Sequence, residues 1–113
     1  MIPPLKRQLA ETIIARYCKN KVPEQHRNEL HIMYRFRGNS VTLFENRPPI
    51  LGEEGWSSLP IAQLRYSDAK DLWTLYCADR NGKWHLYMEC DPEKDIGKLI
   101  KEIDEDPTGI FYG

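Results

Sequence analysis

The sequence has no long apolar run and none of the cysteine patterns of secreted or redox-active proteins. Its first residues lack the basic stretch and apolar core of a signal peptide, and no apolar run approaches membrane-spanning length. There are only three cysteines, Cys18, Cys77 and Cys90, which cannot all pair and follow no metal or redox spacing. We therefore expect a cytoplasmic protein with reduced thiols and no membrane partner.

Motifs that would announce a catalytic or cofactor-binding site are also missing. There is no glycine-rich phosphate loop, no nucleophile elbow and no zinc-ligand spacing. The sequence therefore predicts no cofactor and no metal site, and it leaves catalytic residues unassigned. His85 is the best single candidate for acid–base chemistry, because an imidazole titrates near neutral pH.

The composition is that of an ordinary globular domain, and we expect residues 1–113 to form a single domain. The chain is 41% hydrophobic and 29% charged, far from the composition of disordered proteins. The net charge of −1 hides an asymmetry, with about +5 in residues 1–50 and −6 in the remainder. Such polarity fits two halves that pack together, a basic binding surface, or self-association.

Helices are predicted near both ends of the sequence. Pro3 and Pro4 suit a first helical turn, and an apolar stripe predicts a helix from Pro4 to Lys19. Asp91-Pro92-Glu93 offers an N-cap, an N1 proline and an acid for a second helix. The first stripe consists of Leu5, Leu9, Ile13 and Tyr17, widened by Ile14, and the second of Ile96, Leu99, Ile100 and Ile103.

Alternating apolar and polar residues predict two strands that form a hairpin. The strands run from Leu30 to Arg37 and from Ser40 to Glu45, with the turn at Gly38-Asn39. This register places Arg35 opposite Thr42 and Arg37 opposite Ser40.

Three further strands are predicted over 61–66, 72–79 and 83–89. The last two are joined by Asn81-Gly82, the strongest short-range hairpin signal. A two-residue turn there pairs Ala78 with His85 and Tyr76 with Tyr87. Trp84 and Leu86 would then lie in the core with Cys77, on the face opposite His85.

A long connection rich in turn-forming residues separates the second and third strands. Arg47-Pro48-Pro49 ends the second strand, because proline cannot donate a ladder hydrogen bond. Connections of this length often pack back on the domain or carry function. We expect Trp56 to anchor the connection to the core, with a ligand platform as the alternative, and we treat Arg47 and Trp56 as a candidate loop site.

The order of elements is α-β-β-β-β-β-α, which predicts the α+β class. Five strands in an antiparallel meander leave the N-terminal and C-terminal helices available to cover one face of the sheet. The apolar segment 110–113 is expected to dock on the sheet or on a partner.

Several segments, spread over nearly the whole chain, form a familiar set: Arg47-Pro48-Pro49, Leu64-Arg65-Tyr66, Trp73-Thr74-Leu75-Tyr76, Asp79 to Tyr87 and Asp104 to Gly113. Together they resemble the bacterial family named domain of unknown function 3024. The resemblance implies a bacterial protein, but the family has no established activity, so no catalytic residue is carried over. Leu86 departs from the family pattern, in which a basic residue is common after the Trp-His pair.

The predicted face opposite the core combines arginines with aromatic residues. Aromatic rings interleaved with arginines can stack on bases and neutralise phosphates, and arginine can equally bind a carboxylate. If a helix or the C-terminal segment covers this face, the same residues only stabilise the sheet. The candidate binding residues are Arg35, Arg65, Tyr76, His85 and Tyr87.

One carboxylate breaks the alternation. Glu45 falls on the apolar parity of its strand, where it can pair with Arg47, Arg65 or a group of the C-terminal segment. A nuclease-like metal carboxylate is the alternative.

These patterns lead to two functional hypotheses. The first is a non-catalytic interaction module, which would use the arginine-rich sheet face and the Trp56 connection for self-association or, second, for nucleic-acid binding. The alternative is a small enzyme that acts on nucleic acid or a phosphorylated metabolite through His85, Arg65 and Glu45. Whether the protein is an enzyme therefore stays open at this point.

Overall fold

The chain forms one antiparallel sheet between two helices. The computed structural model describes residues 1–26, 29–49, 51–52 and 54–113. The predicted α+β class and the order of elements are confirmed. Residues 27, 28, 50 and 53 lie outside the described residues. The first two fall in the polar segment between the first predicted helix and the first predicted strand, and the other two fall in the long connection predicted after the second strand. The elements are α1 (Pro4–Lys21), a short 3-10 helix (Glu24–His26), β1 (His31–Arg37), β2 (Ser40–Arg47), β3 (Ser57–Ser67), β4 (Leu72–Ala78), β5 (Trp84–Leu86) and α2 (Ile96–Glu105).

The strands follow one another across the sheet in chain order. Each strand pairs antiparallel with the next, from β1 to β5. The register predicted for the first hairpin is confirmed, with Arg35 opposite Thr42 and Arg37 opposite Ser40. Gly38 has a φ of +57°, which the turn after β1 requires and which glycine adopts without strain.

A bulge interrupts the pairing of β2 with β3. Leu43 lies opposite Ala62 but Phe44 lies opposite Pro60, so Ile61 is an extra residue in β3. Ile61 and Ala62 are both buried. The bulge also accommodates Pro60, whose missing N–H cannot serve a regular ladder.

The register predicted for the second hairpin was wrong by one residue. Ala78 pairs with Trp84, Cys77 with His85 and Tyr76 with Leu86. Because side chains alternate with a period of two, this shift turns every side chain of β5 to the other face. Trp84 and Leu86 therefore face outward.

The cause of the shift is the turn itself, which is longer than two residues. The N–H of Gly82 donates to the carbonyl of Asp79 (3.0 Å), and the N–H of Asp79 donates to the carbonyl of Lys83 (2.8 Å). The Asp79 carboxylate also accepts from the N–H groups of Asn81 and Lys83. With Gly82 at a φ of +78°, this is the geometry of a three-residue hairpin loop closed by a glycine bulge.

The buried face of α1 is rotated from the predicted stripe. Ala10, Ile14 and Cys18 are buried, whereas Leu5 and Leu9 are 82% and 61% exposed. The prediction for Leu5 and Leu9 was therefore wrong. The buried row Ala10, Ile14 and Cys18, at four-residue spacing, faces the core instead.

Helix α2 begins later than predicted. Its N-cap is Asp95, whose carboxylate accepts from the N–H of Gly97 (2.9 Å). Asp91 is not the cap, because Glu93, two residues later, still exchanges two backbone hydrogen bonds with Trp73 of β4. The predicted buried stripe is confirmed: Ile96, Leu99, Ile100 and Ile103.

The segment after α2 docks on its own domain. Phe111 is buried and its ring centre lies 5.0 Å from that of Tyr87. The Asp106 carboxylate accepts from the N–H groups of Phe111 and Tyr112, which fixes the turn out of the helix. The core therefore lies on one side of the sheet, between the strands, the two helices and this segment.

Candidate binding face

The outer face of the sheet carries the candidate site. None of the outward strand positions is buried, so within the described part of the chain neither helix nor the C-terminal segment covers this face. It gathers three arginines and three aromatic residues from all five strands. We call this set the arginine–aromatic face, and it consists of Arg35, Arg37, Phe44, Arg65, Tyr76 and Trp84.

The guanidinium of Arg65 is oriented by contacts with Tyr76 and Gln63. Its Cζ atom lies 3.8 Å from the centre of the Tyr76 ring, and its Nε donates to Oε1 of Gln63 (2.7 Å). Gln63 in turn donates to Oγ1 of Thr42 (3.0 Å). A guanidinium has five N–H donors, so this arrangement orients Arg65 while leaving its terminal donors available to a ligand.

The other two arginines lie on the edge strand β1. The Cζ atom of Arg35 is 5.4 Å from the centre of the Phe44 ring, and Arg37 is exposed at the end of the strand. No outward position of the five strands is an Asp or Glu, and no described carboxylate forms an ion pair with Arg35, Arg37 or Arg65. Stacking on a ring does not neutralise a guanidinium, so this face is positively charged.

Two shallow recesses lie beside Phe44 on this face. The larger of the two has a volume of about 260 Å³ and the smaller about 200 Å³. Small-molecule sites usually measure about 300 to 1,000 Å³ and enclose most of their ligand. Of the pair beside Phe44, the larger is lined by Arg35, Arg37, Ser40, Thr42, Phe44, Gln63 and Trp84, and the smaller by Arg35, Thr42, Phe44, Ser58 and Pro60. A third recess, of about 370 Å³, lies beside Tyr76 and Leu86. Open recesses spread along one face favour an extended ligand that lies across the sheet.

Comparison with known proteins adds a family but no activity. The family model described as Domain of unknown function (DUF3024) matches residues 2–113. The chain belongs to this family. No curated protein and no solved structure gives a significant match to it.

In this DUF3024 chain, Arg35, Arg65 and Tyr76 lie together on the outer face, but His85 does not join them. His85 faces the same way as its partner Cys77, at the end of the hairpin, where its side chain is 60% exposed. Its Nε2 lies 2.7 Å from Oδ2 of Asp79. That hydrogen bond, with two more from the turn backbone, lowers the pKa of Asp79.

Tyr87 also lies apart from the arginine–aromatic face. Its side chain is buried in the core, and its hydroxyl donates to Oε2 of Glu102 on α2 (2.7 Å). Burial, followed by this hydrogen bond, raises the pKa of Tyr87 to about 12. The structure thus gives Tyr87 a place in the core of the DUF3024 fold, and the expected position on the outer face is wrong.

Trp84 is the residue that sequence reasoning missed. The assumed two-residue turn placed it in the core, whereas the observed register turns it outward beside the larger recess. One signal could have revealed this. Asp79 stands three residues before Gly82, and a carboxylate at that position can cap a three-residue turn.

The predicted loop site is split between two different contacts. Trp56 is 49% exposed and its ring centre lies 5.5 Å from that of His31, so the expected anchoring in the core is wrong. Arg47 pairs with Glu45, whose side chain is only 15% exposed. The pairing of Glu45 with Arg47 confirms one of the three partners considered for this carboxylate.

The residues of the enzyme hypothesis are not brought together. Arg65 faces outward on β3, Glu45 faces the opposite way on β2, and His85 lies on β5. Cys77 and His85 do pair across the strands, contrary to expectation, but the thiol donates to the His85 carbonyl (3.6 Å) and not to its ring. Across the described ranges, no three His, Cys, Asp or Glu side chains are grouped to hold a metal ion.

No helix among the described residues is long and apolar enough to cross a membrane.

Proposed function

We propose that this protein is a non-catalytic binding module whose arginine–aromatic face takes a phosphate-bearing ligand. The observation that carries the proposal is the presence of three exposed guanidiniums on a sheet face without an outward carboxylate. Uncompensated charge of one sign on an open surface attracts ligands of the opposite sign. Arginine suits phosphate in particular, because its planar fork donates two parallel hydrogen bonds.

Self-association has less support than a phosphate ligand. The aromatic residues Phe111 and Tyr112, which suggested a sticky C-terminal segment, contact Tyr87 and Tyr17 of the same chain. Two copies of an arginine-rich face would also repel each other.

The enzyme alternative has less support for a different reason. General acid–base chemistry requires its groups within hydrogen-bonding reach of one reacting atom. Arg65, Glu45 and His85 lie on three strands and on both faces of the sheet.

The bacterial source and the cytoplasmic location expected from the sequence stay part of this proposal. Three free thiols among the described residues fit a reducing compartment.

The test uses inorganic polyphosphate as the probe, with binding followed by calorimetry at about 50 and 200 mM salt. The purified protein should bind, and binding should weaken as salt rises, because phosphate contacts release counterions. An Arg35→Gln/Arg65→Gln variant should bind at least tenfold more weakly than the wild type.

The matched control is Lys98→Gln/Lys101→Gln, which removes the same charge from the exposed side of α2. It should keep most of the affinity. Absence of binding at low salt, or an equal loss in both variants, contradicts the proposal.

A further inference from the structure

We infer that the ligand of the arginine–aromatic face is single-stranded nucleic acid. Bases would stack on Trp84 and on the Arg65–Tyr76 pair, while Arg35, Arg37 and Arg65 would contact phosphates. This inference rests on the proposed function and narrows it from any phosphate-bearing ligand to one polymer.

The order of side chains across the sheet is the first argument. Cations stand on β1 and β3, and aromatic rings stand on β2, β4 and β5. Neighbouring strands are about 4.8 Å apart, so charges and rings alternate over about 14 Å from β1 to β4, and a further ring follows on β5. A single strand of nucleic acid also combines charges with planar rings, whereas polyphosphate offers only the charges.

The Trp84 ring is accessible on the outer face. Trp84 pairs with Ala78, whose small side chain leaves the ring uncovered on that side. Trp84 stacks on no other ring in the described part of the chain. A base can therefore lie against Trp84 without displacing a side chain that already occupies its face.

The Arg65–Tyr76 pair offers a second stacking surface. Tyr76 covers one face of the guanidinium, and Gln63 fixes its plane from the side. RNA-binding proteins stack unpaired bases on arginine planes as well as on aromatic rings. An arginine held in this way loses little conformational freedom when a base stacks on its open face.

The larger recess supplies groups that can contact base edges. Phe44 and Trp84 contribute rings to its lining, and Ser40, Thr42 and Gln63 contribute hydroxyl and amide groups. Only an unpaired base can enter such a recess, because a duplex hides the faces of its bases within the stack. The geometry therefore favours a single strand over a duplex.

The experiment titrates the protein with oligo(dT) of about 12 nucleotides, a length within the usual site sizes for single strands. Fluorescence anisotropy of the labelled oligonucleotide gives the affinity, and tryptophan emission reports stacking. The single strand should bind at least tenfold more tightly than a duplex of equal length. The logarithm of the association constant should fall with the logarithm of salt concentration with a slope of about −2, because each of three phosphate contacts contributes about −0.7.

Two variants on one strand separate stacking from apolar contact. Trp84→Ala should weaken oligo(dT) binding by about 5- to 150-fold, as expected for the loss of one base–aromatic stack. Leu86→Ala removes apolar surface from the same face of β5 without removing a ring, and it should change the affinity less than twofold. Arg35→Gln should reduce the salt slope to about −1.4. Circular dichroism of each variant establishes that it is folded.

The outcomes also distinguish this inference from the proposed function. Tight binding of polyphosphate, with oligo(dT) bound no better than the duplex and with equal effects of Trp84→Ala and Leu86→Ala, overturns the inference and leaves the proposed function standing. Binding to anionic lipid vesicles but not to oligo(dT) has the same meaning. Failure to bind polyphosphate and oligo(dT) at low salt overturns both.

Discussion

The hydroxyl groups of Tyr17 and Tyr112 lie 2.6 Å apart and join α1 to the segment that follows α2. Lys21 lies over the Tyr112 ring, with Nζ 4.5 Å from its centre, and pairs with Asp104 at 2.9 Å. Burial raises the pKa of Tyr112 to about 12, and burial together with the Tyr112 hydrogen bond raises the pKa of Tyr17 as well.

This tyrosine pair predicts a loss of stability in alkali. Between about pH 10 and pH 12 the unfolded chain releases protons that the folded chain retains, so the free energy of unfolding falls as pH rises. Below pH 10 the contribution is fully present. Urea unfolding at pH 8 and pH 11 should show a smaller decline for Tyr17→Phe/Tyr112→Phe than for the wild type. Tyr76→Phe, on the outer face, serves as the control, and a decline in the double variant as large as that of the wild type would contradict the prediction.

Two substitutions in α1 test which side of the helix supports the fold. Ile14→Ala should lower the free energy of unfolding by about 2 to 4 kcal/mol, because it leaves a cavity in the core. Leu9→Ala should change it by less than about 0.5 kcal/mol, because Leu9 is mostly exposed. Urea denaturation of both variants gives the comparison, and a larger effect at Leu9 would restore the stripe expected from the sequence.

The second hairpin should depend on Gly82 and Asp79. Gly82→Ala forces a side chain into a left-handed backbone conformation and should cost about 1 to 3 kcal/mol. Asp79→Ala should lower the midpoint of thermal unfolding, because two turn N–H groups lose their acceptor, and Asp79→Asn should lower it less. Thermal unfolding measures these effects, while cross-strand NMR contacts between Tyr76 and Leu86 verify the register.

Acidic pH should remove the contribution of Asp79 to the free energy of unfolding. The pKa of Asp79 is lowered in the folded state, chiefly by the hydrogen bond to His85. A carboxyl group of this kind stabilises the fold above its unfolded pKa of about 3.9, and the stabilisation is lost as pH falls through the folded pKa. The stability gap between the wild type and Asp79→Asn should therefore begin to narrow as pH falls below about 4 and should close below the folded pKa. A constant gap from pH 7 to pH 3 would argue against this role.

The cysteine thiols should be unreactive in the folded protein. Burial raises the pKa of Cys18 to about 12 and, as the main cause, the pKa of Cys90 to about 11. Only the thiolate reacts with disulfide reagents, so labelling at pH 8 should be slow until denaturant is added. Cys90 is the only one of the three that is not buried, and it should react first. Mass spectrometry of the partly labelled protein tests this order, which rapid labelling of Cys18 without unfolding would refute.

Local signals were sufficient for much of the fold. Gly38-Asn39 lies between two alternating strands, so both the first hairpin and its register were predictable. The second hairpin carried an equally clear Asn81-Gly82 signal, yet its register depends on how the Asp79 carboxylate binds the turn. The contact of the Asp79 carboxylate with the turn backbone therefore fixes the register of β4 and β5, which the Asn-Gly pattern alone does not determine.

The same limit applies to the site and to α1. Arg35, Arg65 and Tyr76 follow from alternation alone, whereas Trp84 was lost through the one-residue error. In α1, the rows that contain Leu9 and Ile14 are both apolar, and only packing against the sheet selects between them. The fit of side chains in the core depends on the tertiary structure, so the spacing of apolar residues along the sequence does not reveal it.

Ile61 divides β3 into two parts, and the parity of the residues that face outward changes between them. Before it, the even-numbered residues Ser58 and Pro60 point outward, and after it the odd-numbered residues Gln63 and Arg65 do. Deleting Ile61 would turn the first four residues of the strand by half a rotation, which would bring Leu59 to the outside and press Pro60 toward the interior. The two recesses meet at Phe44, beside this change of parity. Because of this one extra residue, side chains from both parts of β3 contribute to the same outer face of the sheet.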